Sequence, residues 1–478
     1  MRRSVSARPR LARAVLLAIV LACKASAARA EPAPATPKAL PAFPGAEGWG
    51  RFASGGRNGD VYAVTTLADD GPGSLRDALR SGTGGRTVVF RVSGTILLES
   101  ELLLETSRIT VAGQTAPGGG ICLRRFPLRI RGVSDVIIRH LRIRVGDEAG
   151  RPVDGLEIRD ADRVVVDHCS VSWAIDEALN TWHGTRNLTV QWCLIAEPLH
   201  RSVHRGPHGY AASLGGRRAS YHHNLFAHAA GRNPSLAGGD HDHAIEVDYR
   251  NNVVFNWQSR SCDGKPMSVN LVNNFYKPGP ATLPHVARCI ARIDDTLAAY
   301  GTFDSRWHIA GNVVAGAPDL SADNWRGGVL FEGGTSPERN REPEPFAFEP
   351  VTTQTAEKAF ELVLADAGAT RPVRDQLDAR VVRDVATGTA TNGDRGIIDR
   401  PADVGGWPIL DSQPAPADAD GDGMPDAWET RNGLNPQDPQ DRSGHDLHAA
   451  YTNLERYLSE RAGDPDRSPD AGRDGPAA

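Results

Sequence analysis

Aromatic residues are scarce in this 478-residue sequence, at 6% of the chain, and methionine is scarcer still, with three. Beyond the first thirty positions there is no run of about 18 apolar residues, which excludes a helical membrane span from the mature chain and leads us to expect a soluble protein. Charge of one sign is missing too. The 54 Lys and Arg against 59 Asp and Glu leave a formal charge of −5, and no run of basic residues builds a face for nucleic acid. Cysteine is sparse, at six, and none lies in a CxxC or Cys/His spacing that would hold zinc. What the chain does have is 50 Gly and 33 Pro, so it turns often. Its length exceeds one ordinary core, which points to a large repetitive body with a smaller appendage.

The two ends set the compartment. Arg2, Arg3, Arg10 and Arg13 precede an apolar stretch from Ala14 to Ala22, and Ala28-Arg29-Ala30 offers a small-x-small cleavage site. Residues 1–30 therefore read as a signal peptide, and a secreted or periplasmic protein is expected; Leu21-Ala22-Cys23 makes a poor lipoprotein box. Residues 31–42 are Ala/Pro-rich and read as a linker, and 461–478, rich in Asp, Arg, Pro and Gly, as a disordered tail. Cleavage leaves Cys122, Cys169, Cys193, Cys262 and Cys289, an odd number that forbids complete internal pairing. Cys262 and Cys289 lie in a polar, loop-like stretch and are candidates for a disulfide, whereas Cys169 and Cys193 sit in apolar patterns and are expected as buried thiols.

The middle of the chain repeats. Short runs alternate apolar and polar residues: VIIRHLRI from Val136, RVVVDHCSVSW from Arg163, NLTVQWCLI from Asn187, ASYHHNLF from Ala219, IEVDYRNNVVFNW from Ile245 and MSVNLVNNFY from Met267. Each reads as a strand by its period of two. No long segment of period 3.6 separates them, so strands coiled into a solenoid account for the pattern better than a βαβ fold. Asn224, Asn252, Asn274 and Asn312 each precede two apolar or aromatic residues, as expected if asparagines stack at the same corner of successive coils.

Residues 411–460 form a distinct module. Asp418, Asp420 and Asp422 stand at positions one, three and five of a twelve-residue calcium loop, with Gly423 at six, Asp426 at nine and Glu429 at twelve. A second half follows, but His445, Leu447 and Ala449 replace its acidic ligands, so one calcium is expected here rather than two.

Over roughly residues 43–315 the chain resembles the pectate lyases of the parallel β-helix type. The likeness lies in AFPGAEGWG from Ala42, VTTLADDGPGSLR from Val64, VFRVSGTI from Val89 and ITVAGQTAPGGG from Ile109, which are similar to that family's N-terminal cap and first coils. The resemblance implies an all-β, right-handed single-stranded parallel β-helix over 43–410. It also implies chemistry. Asp154, followed thirteen positions later by Asp167-His168, looks like the family's calcium aspartate ahead of its WxDH-type strand, and Asp176 and Asn180 fall on the next two calcium positions. Asp154 and Asp176 are about one coil apart and would stack on one face, where paired oxygens suit a hard cation. Asn180 is neutral where the family carries a carboxylate, so weaker calcium binding is expected. Glu177 is an alternative ligand, although alternation in an extended strand would face it away from Asp176. His222-His223-Asn224 followed by Gly231-Arg232-Asn233-Pro234 resembles the motif that carries the catalytic arginine, which makes Arg232 the residue beside the C5 proton.

Two features of that site are absent. Ala237 stands where the family has a second arginine, and Tyr210 and Ala211 where its substrate lysine lies; Arg205 and His208 are the expected replacements for the substrate contact. Asp240-His241-Asp242-His243 reads as a solvated loop, with metal binding as the alternative. The expected function is calcium-assisted β-elimination of pectate or a related uronate polymer by a secreted monomer whose partner is acidic polysaccharide, not nucleic acid or membrane. The alternatives are a non-catalytic polysaccharide-binding β-helix and a glycoside hydrolase on the same fold, although no pair of flanking carboxylates for hydrolysis stands out.

Overall fold

The computed structural model describes residues 40–80, 84–182, 184–238, 245–297 and 304–465. The expected signal peptide, positions 31–39 of the linker, the His/Asp cluster at 240–243 and positions 466–478 of the tail lie outside the described residues. Three parallel sheets of ten, nine and nine strands make up the body, each receiving one short strand from successive coils. One coil shows the path: Ser134–Arg139 in the first sheet, Leu141–Arg144 in the second, Leu156–Arg159 in the third, then Asp162–Asp167 beside Ser134–Arg139 again. This is a parallel β-helix.

Alternation explains why the coils stack. Val136 and Ile138 pair in register with Val164 and Val166, and these with Leu188 and Val190, all buried in one continuous apolar core. Each such side chain contributes about 1.5–3 kcal/mol on full burial, and the parallel register adds the rows together along the axis. The chain turns between the first and second sheets at single residues in the left-handed region: His140, His168, Trp192, His223, Asn251 and Asn273, with φ from 50° to 56°. Just past that corner lies the expected asparagine ladder. Asn224 Nδ2 donates to Asn252 Oδ1 at 3.0 Å, Asn252 to Asn274 at 3.1 Å and Asn274 to Asn312 at 2.8 Å, all buried, and Asn324 extends the series.

Two expectations change. Cys262 and Cys289 are both buried and free. Cys262 lies in a strand of the coil wall opposite Ala291, while Cys289 stands in the loop two positions ahead of Ala291, so no bond joins them. The C-terminal segment, expected as an appendage, is docked on the first coils. Met424, Trp428, Leu454, Tyr457 and Leu458 pack against Val89 and Ala112. Ion pairs Arg91–Asp418 at 3.2 Å and Arg57–Glu455 at 2.6 Å flank that contact, and Arg139–Asp464 at 2.7 Å extends it. Two short amphipathic helices, Asp426–Asn432 and Asn453–Ala462, cannot cover their apolar faces alone, and the outer face of the first sheet covers them. The second helix runs past position 460.

Period-two reading also left helices Ala356–Asp366 and Gln376–Thr387 unannounced. They return along the second sheet, where Arg142 and Arg144 meet Asp375 at 3.1 and 2.5 Å and Arg144 meets Asp378 at 2.8 Å, all buried.

Candidate active site

A polar row runs along the third sheet. Register pairing places Arg129, Glu157, Asn180, Ser213, Ser235, Asp263 and Arg292 side by side on consecutive coils. Asp154 and Asp176 stand just ahead of the strands Leu156–Arg159 and Glu177–Trp182 that carry two of these residues. Asp154 is buried; its Oδ1 accepts from the Glu177 backbone N at 3.1 Å and its Oδ2 from Asn180 Nδ2 at 3.1 Å. Asp154, Asp176 and Glu177 each offer an oxygen within 4.8 Å of the others. Burial, and then the charges of Glu177 and Asp176, push the Asp154 carboxyl up to about 8.

Glu177 therefore faces the site, against the expectation from strand alternation. Asp176 occupies a bend and the strand begins only at Glu177, so the rule that neighbours face opposite ways does not apply across that step. Asn180 uses its Nδ2 on Asp154, while its Oδ1 is buried with no hydrogen-bond partner among the described residues. Three carboxylates and an orphaned amide oxygen make an all-oxygen donor set that fits a hard divalent cation such as calcium.

The basic groups approach from the next coils. His208 Nε2 lies 2.8 Å from Asp176 Oδ1, and its ring packs against those of His204 and Tyr210, each with centroids 3.9 Å away. Burial opposes a charged His208, but the Asp176 carboxylate in contact with it and the Glu177 carboxylate nearby outweigh burial and raise its pKa. Burial likewise opposes an ionised Asp176, yet the hydrogen bond from His208 helps hold its carboxyl low. Glu177 pairs in register with Tyr210, and Tyr210 bridges to Gly231, so three consecutive coils bring Glu177, Tyr210 and Arg232 together. Arg232 takes a left-handed φ of 52°, donates from Nη1 to Glu177 Oε1, and sets its guanidinium carbon 4.5 Å from the Tyr210 ring centroid. Of the residues named from sequence, Asp154, Asp176, Asn180, His208 and Arg232 are gathered here. Arg205 is exposed on the preceding loop, with no hydrogen bond or ion pair to the cluster.

A second acidic group lies in the C-terminal segment. Asp418, Asp420 and Asp422 approach within 4.8 Å of one another, as do Asp422, Glu429 and Asp441. Glu429 is fully buried, and neither of its carboxylate oxygens has a partner among the described residues. Burial and the neighbouring carboxylates push Asp422 up to about 8 and Glu429 up to about 7. Asp426 stands outside both trios: its Oδ1 accepts from the Ala419 N at 2.7 Å and ties the loop closed. Asp441 takes its place. It lies twelve positions past Glu429, beyond the loop motif, which is why spacing alone passed over it.

No protein-family model matches the chain. Among curated proteins, the chain is 34% identical over 429 residues to a protein named probable pectate lyase C from Aspergillus fumigatus, covering 88% of this chain and 94% of that one. The protein of the same name from Aspergillus terreus is 33% identical over 431 residues, with 88% and 94% covered. Among solved structures, the cedar pollen allergen jun a 1 matches 68% of this chain and 92% of its own at 19% identity and a TM-score of 0.49. A pectate lyase from Bacillus sp. N165 in complex with trigalacturonate matches 68% and 98% at 16% identity and a TM-score of 0.45.

Proposed function

The chain belongs to the pectate lyase family and is a carbon–oxygen lyase acting on polygalacturonate; we propose that it does so by β-elimination at Arg232. One observation carries this reading: the Arg232 guanidinium is fixed on Tyr210 and Glu177 at the edge of a three-carboxylate cluster. Passing the C5 proton to solvent water loads negative charge onto C5 and its carboxylate; expelling O4, which takes a proton from water in turn, spends that charge in the new C4–C5 double bond. A guanidinium stays protonated in proteins, so Arg232 acts as a fixed cation that stabilises that charge where the family resemblance places the C5 proton. The proline-bounded turn and the Tyr210 face hold it in position before substrate arrives.

The carboxylate cluster would hold calcium through Asp154, Asp176, Glu177 and Asn180 Oδ1. Bound there, calcium would draw charge from the uronate carboxylate and make the neighbouring C5 proton more acidic. His208 keeps Asp176 ionised and in place rather than reaching the polymer itself. A second calcium belongs to the C-terminal loop, with Asp418, Asp420, Asp422, Glu429 and Asp441 as ligands and Asp426 as the tie that closes the loop. With this reading go a secreted or periplasmic location and a monomer whose partner is acidic polysaccharide.

The test is an ultraviolet assay on polygalacturonate with and without chelator. A lyase yields products that absorb as unsaturated uronides, and chelator stops them. New reducing ends without that absorbance indicate hydrolysis, and neither signal indicates binding only; both overturn the reading.

A further inference from the structure

The resemblance leaves two cationic positions of the substrate site empty, with Ala237 and Tyr210 where an arginine and a lysine would stand. We propose that Arg260 supplies the missing contact, binding the carboxylate of the sugar unit next to the one that reacts at Arg232. This rests on the lyase reading above.

Arg260 lies one coil beyond Arg232. The backbone locks the two coils together: Asn233 N donates to Ser261 O at 3.0 Å and Asn233 Nδ2 to Arg260 O at 3.0 Å. Its guanidinium carbon lies 5.0 Å from the Tyr210 centroid, so Tyr210 carries two guanidinium groups, Arg232 at 4.5 Å and Arg260. Gly231 makes room for this. A Cβ there would come within 3.3 Å of both Arg260 Nε and the Tyr210 ring.

Two like charges on one ring repel, and each is anchored from behind by a single carboxylate: Arg232 by Glu177, and Arg260 by buried Asp263 at 3.1 Å. A guanidinium has five N–H donors in a planar fork suited to carboxylate, and one anchoring oxygen leaves most of them unused. The Arg232 side chain keeps 30% exposure and that of Arg260 26%, so both guanidinium groups reach solvent. Two partly exposed guanidinium groups on one ring make a place suited to an anion. In polygalacturonate every sugar carries a carboxylate, so a chain bound at Arg232 brings a neighbouring carboxylate to the adjoining coil, one rung of about 4.8 Å away. A methyl ester at that sugar removes the charge Arg260 binds, so the contact selects for consecutive free acids.

The experiment compares kcat and KM on polygalacturonate and on highly methyl-esterified pectin for the full-length protein, Arg260→Gln, and Arg260→Gln with Asp263→Asn. The double variant guards against misfolding, because it removes the buried charge that the single change leaves unpaired; melting curves confirm the fold. A lost charge-assisted hydrogen bond is worth about 10- to 100-fold, expected on polygalacturonate as a raised KM with kcat within about threefold. The loss on esterified pectin should be much smaller, so the preference for the free acid collapses, and Arg260→Lys should fall between. Equal losses on both polymers, or none on either, overturn the role of Arg260 while the lyase reading stands. A full-length protein that forms no unsaturated product overturns the reading itself.

Discussion

Arg232 and Glu177, 55 positions apart in the chain, form a hydrogen-bonded ion pair across the coils. The pair couples the proposed catalytic cation to the proposed calcium seat, so substitutions at either end report on both.

Arg232→Lys should reduce kcat by about 100-fold or more while leaving melting and polymer binding nearly unchanged, because an ammonium lacks the planar fork but keeps the charge beside Glu177. Arg232→Ala should be as inactive and also less stable, since it leaves Glu177, 4% exposed, without its cation. A lysine variant that keeps more than about a tenth of the rate sinks the assignment.

Asn180→Asp should lower the calcium concentration for half-maximal rate, and Glu177→Gln should raise it, each several-fold, because site affinity follows ligand charge. Calcium titrations of activity in which neither midpoint moves would remove these residues from the ligand set.

The docked C-terminal segment makes its proposed calcium a stabiliser of the solenoid end. At a calcium concentration of 100 times the dissociation constant, the stabilisation is about 2.7 kcal/mol, so chelator should lower the melting temperature and open 411–465 to protease. Glu429→Gln should abolish that sensitivity together with one calcium equivalent in calorimetry. Truncation before Asp411 should uncover Val89 and Ala112 and destabilise the first coils. An unchanged calcium stoichiometry in Glu429→Gln would refute the site.

Stability should fall as pH rises from about 6.5 to about 9. Burial opposes a charged His168, but Asp167 at 2.9 Å and Asp366 outweigh it and raise its pKa to about 9. Below the unfolded value of about 6.5 both states are protonated and the contribution is complete; above it the unfolded chain loses its proton first, and the gain vanishes by about 9. The effect is on the order of 3 kcal/mol. Chemical denaturation across this range should show the slope in the parent protein and a flatter profile in His168→Gln.

The sequence by itself determined the solenoid and the outline of its site. Period-two runs and the asparagines at 224, 252, 274 and 312 are local signals repeated coil after coil, and each predicts its own neighbour because like stacks on like. Asp154, Asp176 and Arg232 were legible through the motifs around them. Tertiary structure alone decided the rest. Glu177 joins the carboxylates because the chain bends at Asp176, Arg260 reaches Tyr210 across the coil that carries Arg232, and Asp441 meets Glu429 because the segment folds back beside it. The same holds for the unpaired Cys262 and Cys289, set two positions out of register, and for the docked C-terminal helices. In each case the deciding quantity is the distance between residues far apart in the chain, and spacing along one strand carries no record of which face the next coil presents.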